Sequence, residues 1–70
     1  MFTAEKIRVL LLRKNMTIKQ LAEKINDTPS NLGNKLKRNN FPENELREIA
    51  NALGCTVNIT FTNNDTGEQL

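Results

Sequence analysis

The feature that most constrains this chain is a pair of short helical patterns separated by a tight polar corner, between Met16 and Arg38. The first pattern spaces its apolar residues at i, i+3, i+4 and i+7, which predicts one buried stripe on a helix of about two turns. The stripe consists of Ile18, Leu21, Ala22 and Ile25. Thr17 precedes it and is the predicted N-cap, because its hydroxyl can accept a free N–H of the first turn.

The second pattern begins with Thr28 as the predicted N-cap and Pro29 at the first helical position, where a missing N–H costs nothing. It is expected to bury Leu32 and Leu36. Asn26 lies in the corner, and Asn is the residue besides Gly that most readily takes the left-handed conformation of a sharp turn. Two helices joined by such a corner predict a helix-turn-helix.

The outer surface of the second helix carries short polar and long basic side chains and no acidic one. It consists of Ser30, Asn31, Gly33, Asn34, Lys35, Lys37 and Arg38. Asn can offer adenine a paired donor and acceptor in the major groove, Ser can serve either role, and Lys or Arg reach phosphates or guanine. This surface therefore favours DNA. The alternative is an ordinary solvated face, which leaves the caps, the corner and the basic flank without a common explanation.

Gly33 stands inside the second helix, where Gly costs roughly 1 kcal/mol relative to Ala. A close approach of the helix backbone to another surface would explain its presence. The two candidate surfaces are the preceding helix and the DNA.

Charge is segregated along the chain, although the net charge of the 70 residues is only +2. Residues 1–40 contain nine Lys or Arg against three acidic residues, a net of +6. Residues 41–70 contain one Arg against five acidic residues, a net of −4. Because the basic half coincides with the helix-turn-helix, the pattern predicts an oriented anion-binding surface.

The composition argues against several kinds of site. Seventy residues make one domain, near the lower limit for folding on a hydrophobic core alone. With Cys55 as the one cysteine and no His, the chain offers no disulfide, zinc set or nucleophile–base pair. We therefore predict no catalysis, no metal and no cofactor. The chain begins with polar residues and has no long apolar stretch, so we predict that it has no signal peptide and no membrane span. We therefore expect a cytoplasmic location.

Two further helical patterns flank the helix-turn-helix. The first is expected to begin with Thr3 as its N-cap and to end at Asn15, and the last is expected to end with Gly54 as its C-terminal cap. Their apolar positions are Ala4, Ile7, Leu10 and Leu11 in the first and Leu46, Ile49, Ala50 and Leu53 in the last. Residues 1–54 are thus predicted to form one four-helix DNA-binding domain.

After Gly54 the apolar period changes from helical to alternating, which predicts a strand over residues 55–63, followed by a mobile tail over residues 64–70. A lone strand with an apolar face needs a partner. We expect the same strand of a second copy, antiparallel about a two-fold axis, to be that partner. The dimerisation residues are then Thr56, Val57, Asn58, Ile59, Thr60 and Phe61. The alternative is an intrachain hairpin between this segment and the tail.

The stretch from Thr17 to Arg38, followed by a helix that Phe41 and Pro42 introduce, resembles the lambda-repressor-like helix-turn-helix proteins, often called the Xre family, which include phage repressors and Cro proteins. The residues that carry the resemblance are Leu21, Ala22, Ile25, Leu32, Ile49, Ala50 and Leu53. The resemblance covers about residues 3–54. It implies a mainly α, compact four-helix domain, and the terminal segment is similar to the dimerising strands of Cro-like proteins.

The resemblance also implies which residues contact DNA. Base-reading positions fall on Pro29, Ser30, Asn31 and Asn34, and phosphate contacts on the start of the second helix and the loop after the third. The full predicted DNA-binding set is Thr17, Lys19, Thr28, Pro29, Ser30, Asn31, Asn34, Lys35, Lys37, Arg38, Asn39 and Asn40. The sequence departs from the family pattern at Ile18, where many members have Gln, and at Asn26, where they have Gly.

The expected function is that of a transcriptional regulator, a repressor that binds a palindromic operator in double-stranded DNA as a homodimer. The two-fold axis would place two recognition helices about 34 Å apart. The alternative is an antitoxin or accessory protein that acts through contacts with a protein partner.

Overall fold

The computed structural model describes all 70 residues, and its regular secondary structure consists of four α-helices. Helix α1 spans Thr3–Arg13, α2 Ile18–Lys24, α3 Pro29–Arg38 and α4 Glu43–Ala52. The four predicted helices and the mainly α fold class are therefore confirmed. None of these helices is long and apolar enough to cross a membrane.

One hydrophobic core holds the four helices together. Its largest fully buried side chains are Leu21 of α2, Leu32 of α3 and Ile49 of α4. Helix α1 contributes Ala4, Ile7 and Leu11 to the same cluster. The apolar stripes predicted from helical spacing thus meet in the structure.

The helix-turn-helix begins both of its helices as predicted. The Thr17 hydroxyl accepts the Gln20 N–H at 3.1 Å, and the Gln20 side-chain oxygen accepts the Thr17 N–H at 2.9 Å, which completes a capping box. The Thr28 hydroxyl accepts the Asn31 N–H at 3.1 Å, and Pro29 is the first residue of α3.

Three Asn residues end or follow helices in the left-handed conformation. The φ angles of Asn15, Asn26 and Asn39 are 56°, 56° and 51°. The turn assigned to Asn26 is therefore confirmed. Gly54, with a φ of 69°, follows α4 as its predicted C-terminal cap.

The predicted N-cap of α1 is wrong. Thr3 is already inside the helix, and Phe2 occupies the cap position without a side-chain hydrogen bond. The N–H of Ala4 in the first turn instead donates to the Asn39 side-chain oxygen at 2.8 Å. The end of α3 therefore caps the start of α1 across 35 residues of sequence.

The predicted strand over residues 55–63 is not formed. Residues 55–61 have no regular secondary structure, and one isolated antiparallel bridge joins Thr62 to Gln69. The physical reason is that a strand is defined by ladder hydrogen bonds, and only the end of the segment, from Phe61 to Asn63, has a partner in this chain. Alternation indicates a preference for an extended backbone without supplying a partner. Pairing of this segment with a second copy stays a prediction.

The end of the chain folds back on itself as an intrachain hairpin. Phe61 and Leu70 exchange two backbone hydrogen bonds of 2.9 Å, and the Asn63 N–H donates to the Glu68 carbonyl at 2.8 Å. Residues 58–70 are all exposed, and the molecule measures 43 × 22 × 20 Å. Its radius of gyration of 13.6 Å exceeds the roughly 11 Å expected for a compact chain of this length. The hairpin therefore projects from the helical body.

Candidate nucleic-acid interface

Helix α3 divides sharply into a buried and an exposed side. Leu32 and Leu36 are buried, and the exposed residues are Pro29, Ser30, Asn31, Asn34, Lys37 and Arg38. The intrachain side-chain hydrogen bonds of α3 and its caps involve Thr28, Asn31, Lys35 and Asn39. The side chains of Ser30 and Asn34 are therefore free to contact a ligand.

Unpaired cations lie at one end of the exposed polar side of α3. Lys37 and Arg38 lie at its C-terminal end and form no ion pair within the chain, since the salt bridges involve only Lys35 and Arg47. At the start of α2, Thr17 and Lys19 are also exposed. Uncharged polar side chains on a helix that ends in unpaired basic side chains are the groups that a nucleic-acid interface requires.

Asp27, in the corner before α3, organises this end of the surface. Its Oδ1 accepts the Thr28 N–H at 2.8 Å and the Asn31 side-chain Nδ2 at 3.3 Å. Its Oδ2 accepts the Lys35 ammonium at 3.2 Å. The same ammonium also contacts Glu45 of α4. Asp27 was not among the residues predicted for the site, although an Asp directly before an N-cap is the sequence signal that could have identified it.

The pKa values of two members of this cluster are shifted. The pKa of Asp27 lies below its ordinary value of 3.8, chiefly because the Thr28 N–H donates to its carboxylate, with help from Lys35 and Asn31. The pKa of Lys35 lies above its ordinary value of 10.5, chiefly through its hydrogen bond to Glu45. Both groups are therefore charged at neutral pH.

Besides Asn31, two residues of the predicted DNA-binding set have intrachain roles that the sequence did not indicate. The Lys35 ammonium joins the corner to α4, so a phosphate would have to compete with two carboxylates for it. The Asn39 oxygen is taken by the Ala4 N–H, which leaves its amide N–H groups for a phosphate. Asn40 is exposed beside it. The DNA contacts of these residues stay predictions.

Gly33 does not approach another part of the chain. A Cβ built on it meets no atom within 4 Å. The preceding helix therefore does not explain this Gly, and a close approach of DNA to Gly33 stays a prediction.

The predicted dimerisation residues lie away from α3. They belong to the segment after α4, which lines a groove of about 330 Å³ together with α1 and α4. Val57 is half-buried there, whereas Ile59 and Phe61 are exposed. No group of three or more His, Cys, Asp or Glu side chains is placed to hold a metal ion.

Comparison with known protein families identifies the type of domain. The family described as the Cro/C1-type helix-turn-helix DNA-binding domain matches residues 6–58, about three quarters of the chain. The match begins inside α1 and includes α2, α3 and α4 entirely. Neither the curated proteins nor the solved structures contain a match to the chain.

The Asp27 cluster predicts a specific dependence of stability on pH. A carboxylate whose pKa is lower in the folded than in the unfolded protein stabilises the fold when the pH is above its unfolded-state pKa. This contribution is lost as the pH falls through the folded-state pKa. We expect Asp27→Asn to lower the free energy of unfolding by about 1–2 kcal/mol at pH 7. The difference from wild type should shrink below pH 4, as urea unfolding followed by circular dichroism would measure. Asp65→Asn, in the exposed hairpin turn, is the control, and equal pH profiles for both variants would contradict the prediction.

Gly33→Ala should stabilise the fold of the free protein and lower its affinity for DNA. The free energy of unfolding should rise by about 1 kcal/mol, because the new Cβ meets no atom and Ala is the better helix former. Gly54→Ala is the matched control and should be destabilising, because Gly54 has a positive φ. Urea unfolding and DNA titration measure the two effects. A stability gain with unchanged DNA affinity would exclude close DNA approach at Gly33.

Proposed function

The chain belongs to the family of Cro/C1-type helix-turn-helix DNA-binding domains, and from that premise we propose that it is a repressor that binds a palindromic operator as a homodimer. Its domain is that of a DNA-binding transcription regulator, with double-stranded DNA as its partner. The observation that carries the finer proposal is the exposed side of α3, where Ser30 and Asn34 have no intrachain partner and where Lys37 and Arg38, at its end, form no ion pair.

The proposed division of labour follows from the chemistry of the side chains. Ser30, Asn31 and Asn34 meet base edges in the major groove, because hydroxyl and amide groups can both donate and accept. Lys19, Lys37 and Arg38 meet phosphates, which fixes the register of α3 but carries no sequence information. The protein acts by occupying DNA and excluding polymerase, without covalent chemistry, in the cytoplasm.

The homodimer is supported by apolar side chains that the folded monomer leaves in water. The side chains of Phe61 and Leu70, on the projecting hairpin, are 76% and 85% exposed, and Ile59 is 44% exposed. Burying such side chains is favourable by about 25 cal/mol per Å² of apolar surface. A second copy related by a two-fold axis would cover them on both chains at once and would set the spacing of the two α3 helices.

The same exposed apolar groups favour one second candidate function. An antitoxin or accessory protein would use Ile59, Phe61 and Leu70 to bind a different protein. The oligomeric state of the DNA-bound species distinguishes the two functions, because a dimer uses these groups for self-association.

The proposed function is tested by selection from a random duplex library, with the mass of the bound species measured alongside. We expect an enriched inverted repeat whose half-sites lie one helical turn apart, bound by two copies. Phe61→Ser should weaken operator binding through the dimer while leaving the core intact, because the Phe61 side chain is exposed in the monomer. A bound monomer, or no enriched sequence, would contradict the proposal and favour the protein-partner function.

The proposed base and phosphate contacts predict two different mutant behaviours. Asn34→Ala should cost about 1–3 kcal/mol on the operator and little on random DNA, because it removes a paired base contact. Lys37→Ala should weaken both DNAs alike and flatten the dependence of log Kd on log salt by about 0.9 per subunit. Titrations at several salt concentrations measure both effects. Equal losses on both DNAs for Asn34→Ala would show that it is not a base reader.

A further inference from the structure

The Asn31 side chain has one of its polar atoms held by the protein while the rest faces outward. Its Nδ2 donates to Asp27 Oδ1 at 3.3 Å, and its Oδ1 has no partner within the chain. The residue is exposed on the first turn of α3. Among the polar side chains Ser30, Asn31 and Asn34, it is the one that forms a hydrogen bond within the chain.

The Asp27 carboxylate that holds this amide is itself held from two further sides. The Thr28 N–H donates to the same Oδ1 at 2.8 Å, and the Lys35 ammonium donates to Oδ2 at 3.2 Å. Glu45 of α4 contacts that ammonium in turn. The Asp27 carboxylate that accepts from Asn31 is therefore held in place by its own contacts with the rest of the domain.

The hydrogen bond from Asn31 to Asp27 determines which hydrogen-bonding groups Asn31 can present to a base. An amide nitrogen has two hydrogens, and Asp27 occupies one of them. The other hydrogen and Oδ1 remain as one donor and one acceptor, which match N7 and the N6 amino group of adenine. Guanine offers acceptors at both N7 and O6, so the Asn31 Oδ1 would lie against O6 with no hydrogen between the two acceptor oxygens. A free Asn could rotate and present both of its hydrogens to guanine.

We propose that Asp27 is a positioning residue that makes Asn31 discriminate adenine from guanine. The inference rests on the proposed function, since it names how one base of the operator is read. Asp27 touches no base itself and acts through the amide that it orients. Its loss should therefore relax specificity at the single base pair that Asn31 reads, and leave the rest of the operator motif unchanged.

The experiment compares operator motifs and affinities across a small set of variants. Selection with wild type and with Asn31→Ala identifies the base pair that Asn31 reads, as the position whose preference disappears. Dissociation constants are then measured on duplexes with adenine or guanine at that position. Asp27→Ala should lower the guanine-to-adenine ratio of dissociation constants about five- to tenfold. Asp27→Asn should lower it less, because its amide oxygen can still accept from Asn31.

Two controls separate positioning from general loosening of the domain. Glu45→Gln removes the other carboxylate on Lys35 without touching Asn31, and should leave the ratio at the wild-type value. Asp27→Ala made in the Asn31→Ala background should change the ratio no further, because the group that Asp27 orients is gone. Circular dichroism of each variant before titration establishes that the domain is folded.

The outcomes distinguish the inference from the function on which it rests. An unchanged ratio in folded Asp27→Ala, or an equal fall in Glu45→Gln, overturns the inference and leaves the operator reader intact. If Asp27→Ala does not fold, Asp27→Asn decides, with a lowered ratio supporting the inference and a wild-type ratio overturning it. Failure of the wild type to select any sequence overturns the proposed function and the inference together.

Discussion

The packing of Leu21, Leu32 and Ile49 against one another is the interaction on which the rest of this structure depends. Each comes from a different helix, and only ten of the 70 residues are buried in total. In a core this small, truncating any of the three would remove a large share of the apolar contacts that join the helices. Burial of Leu32 also fixes the rotation of α3 about its own axis. The polar side of α3 faces outward because the core requires its apolar side.

Polar links add to this small core at the two ends of α3. Asp27 and Lys35 join the start of α3 to the corner and to α4, and Asn39 joins its end to the first turn of α1. The links restrain sliding and tilting of the helix, which apolar contacts resist weakly because they are not directional. The helix that is proposed to read DNA is thus held by polar contacts at both of its ends. Pre-organisation of this kind lowers the entropy lost on binding.

The sequence predicted those features whose causes lie within one turn of helix. The caps at Thr17 and Thr28, the left-handed Asn26 and the buried stripes depend on neighbours within four residues, so they follow from local pattern. The cap of α1 could not be predicted, because its acceptor on Asn39 is 35 residues away. The ion pair of Lys35 with Glu45 could not be predicted either, because only the tertiary fold brings the two residues together, and Lys35 was therefore predicted only as a DNA contact. The prediction of a terminal strand was wrong because alternation is a property of one chain segment, whereas a strand forms only when a neighbouring segment pairs with it.

An acidic residue at the corner before the proposed recognition helix needs an explanation, because its charge would repel phosphates. Asp27 is the only acidic residue between Lys24 and Asn40, and its carboxylate is ionised at neutral pH. The Lys35 ammonium, 3.2 Å from Asp27 Oδ2, offsets its charge toward a more distant phosphate, and Glu45 of α4 contacts the same ammonium. The negative charge left over thus lies toward α4, in the half of the chain whose net charge is −4. The ion pair lets the corner keep a strong acceptor for Thr28 and Asn31 while the surface around α3 stays basic.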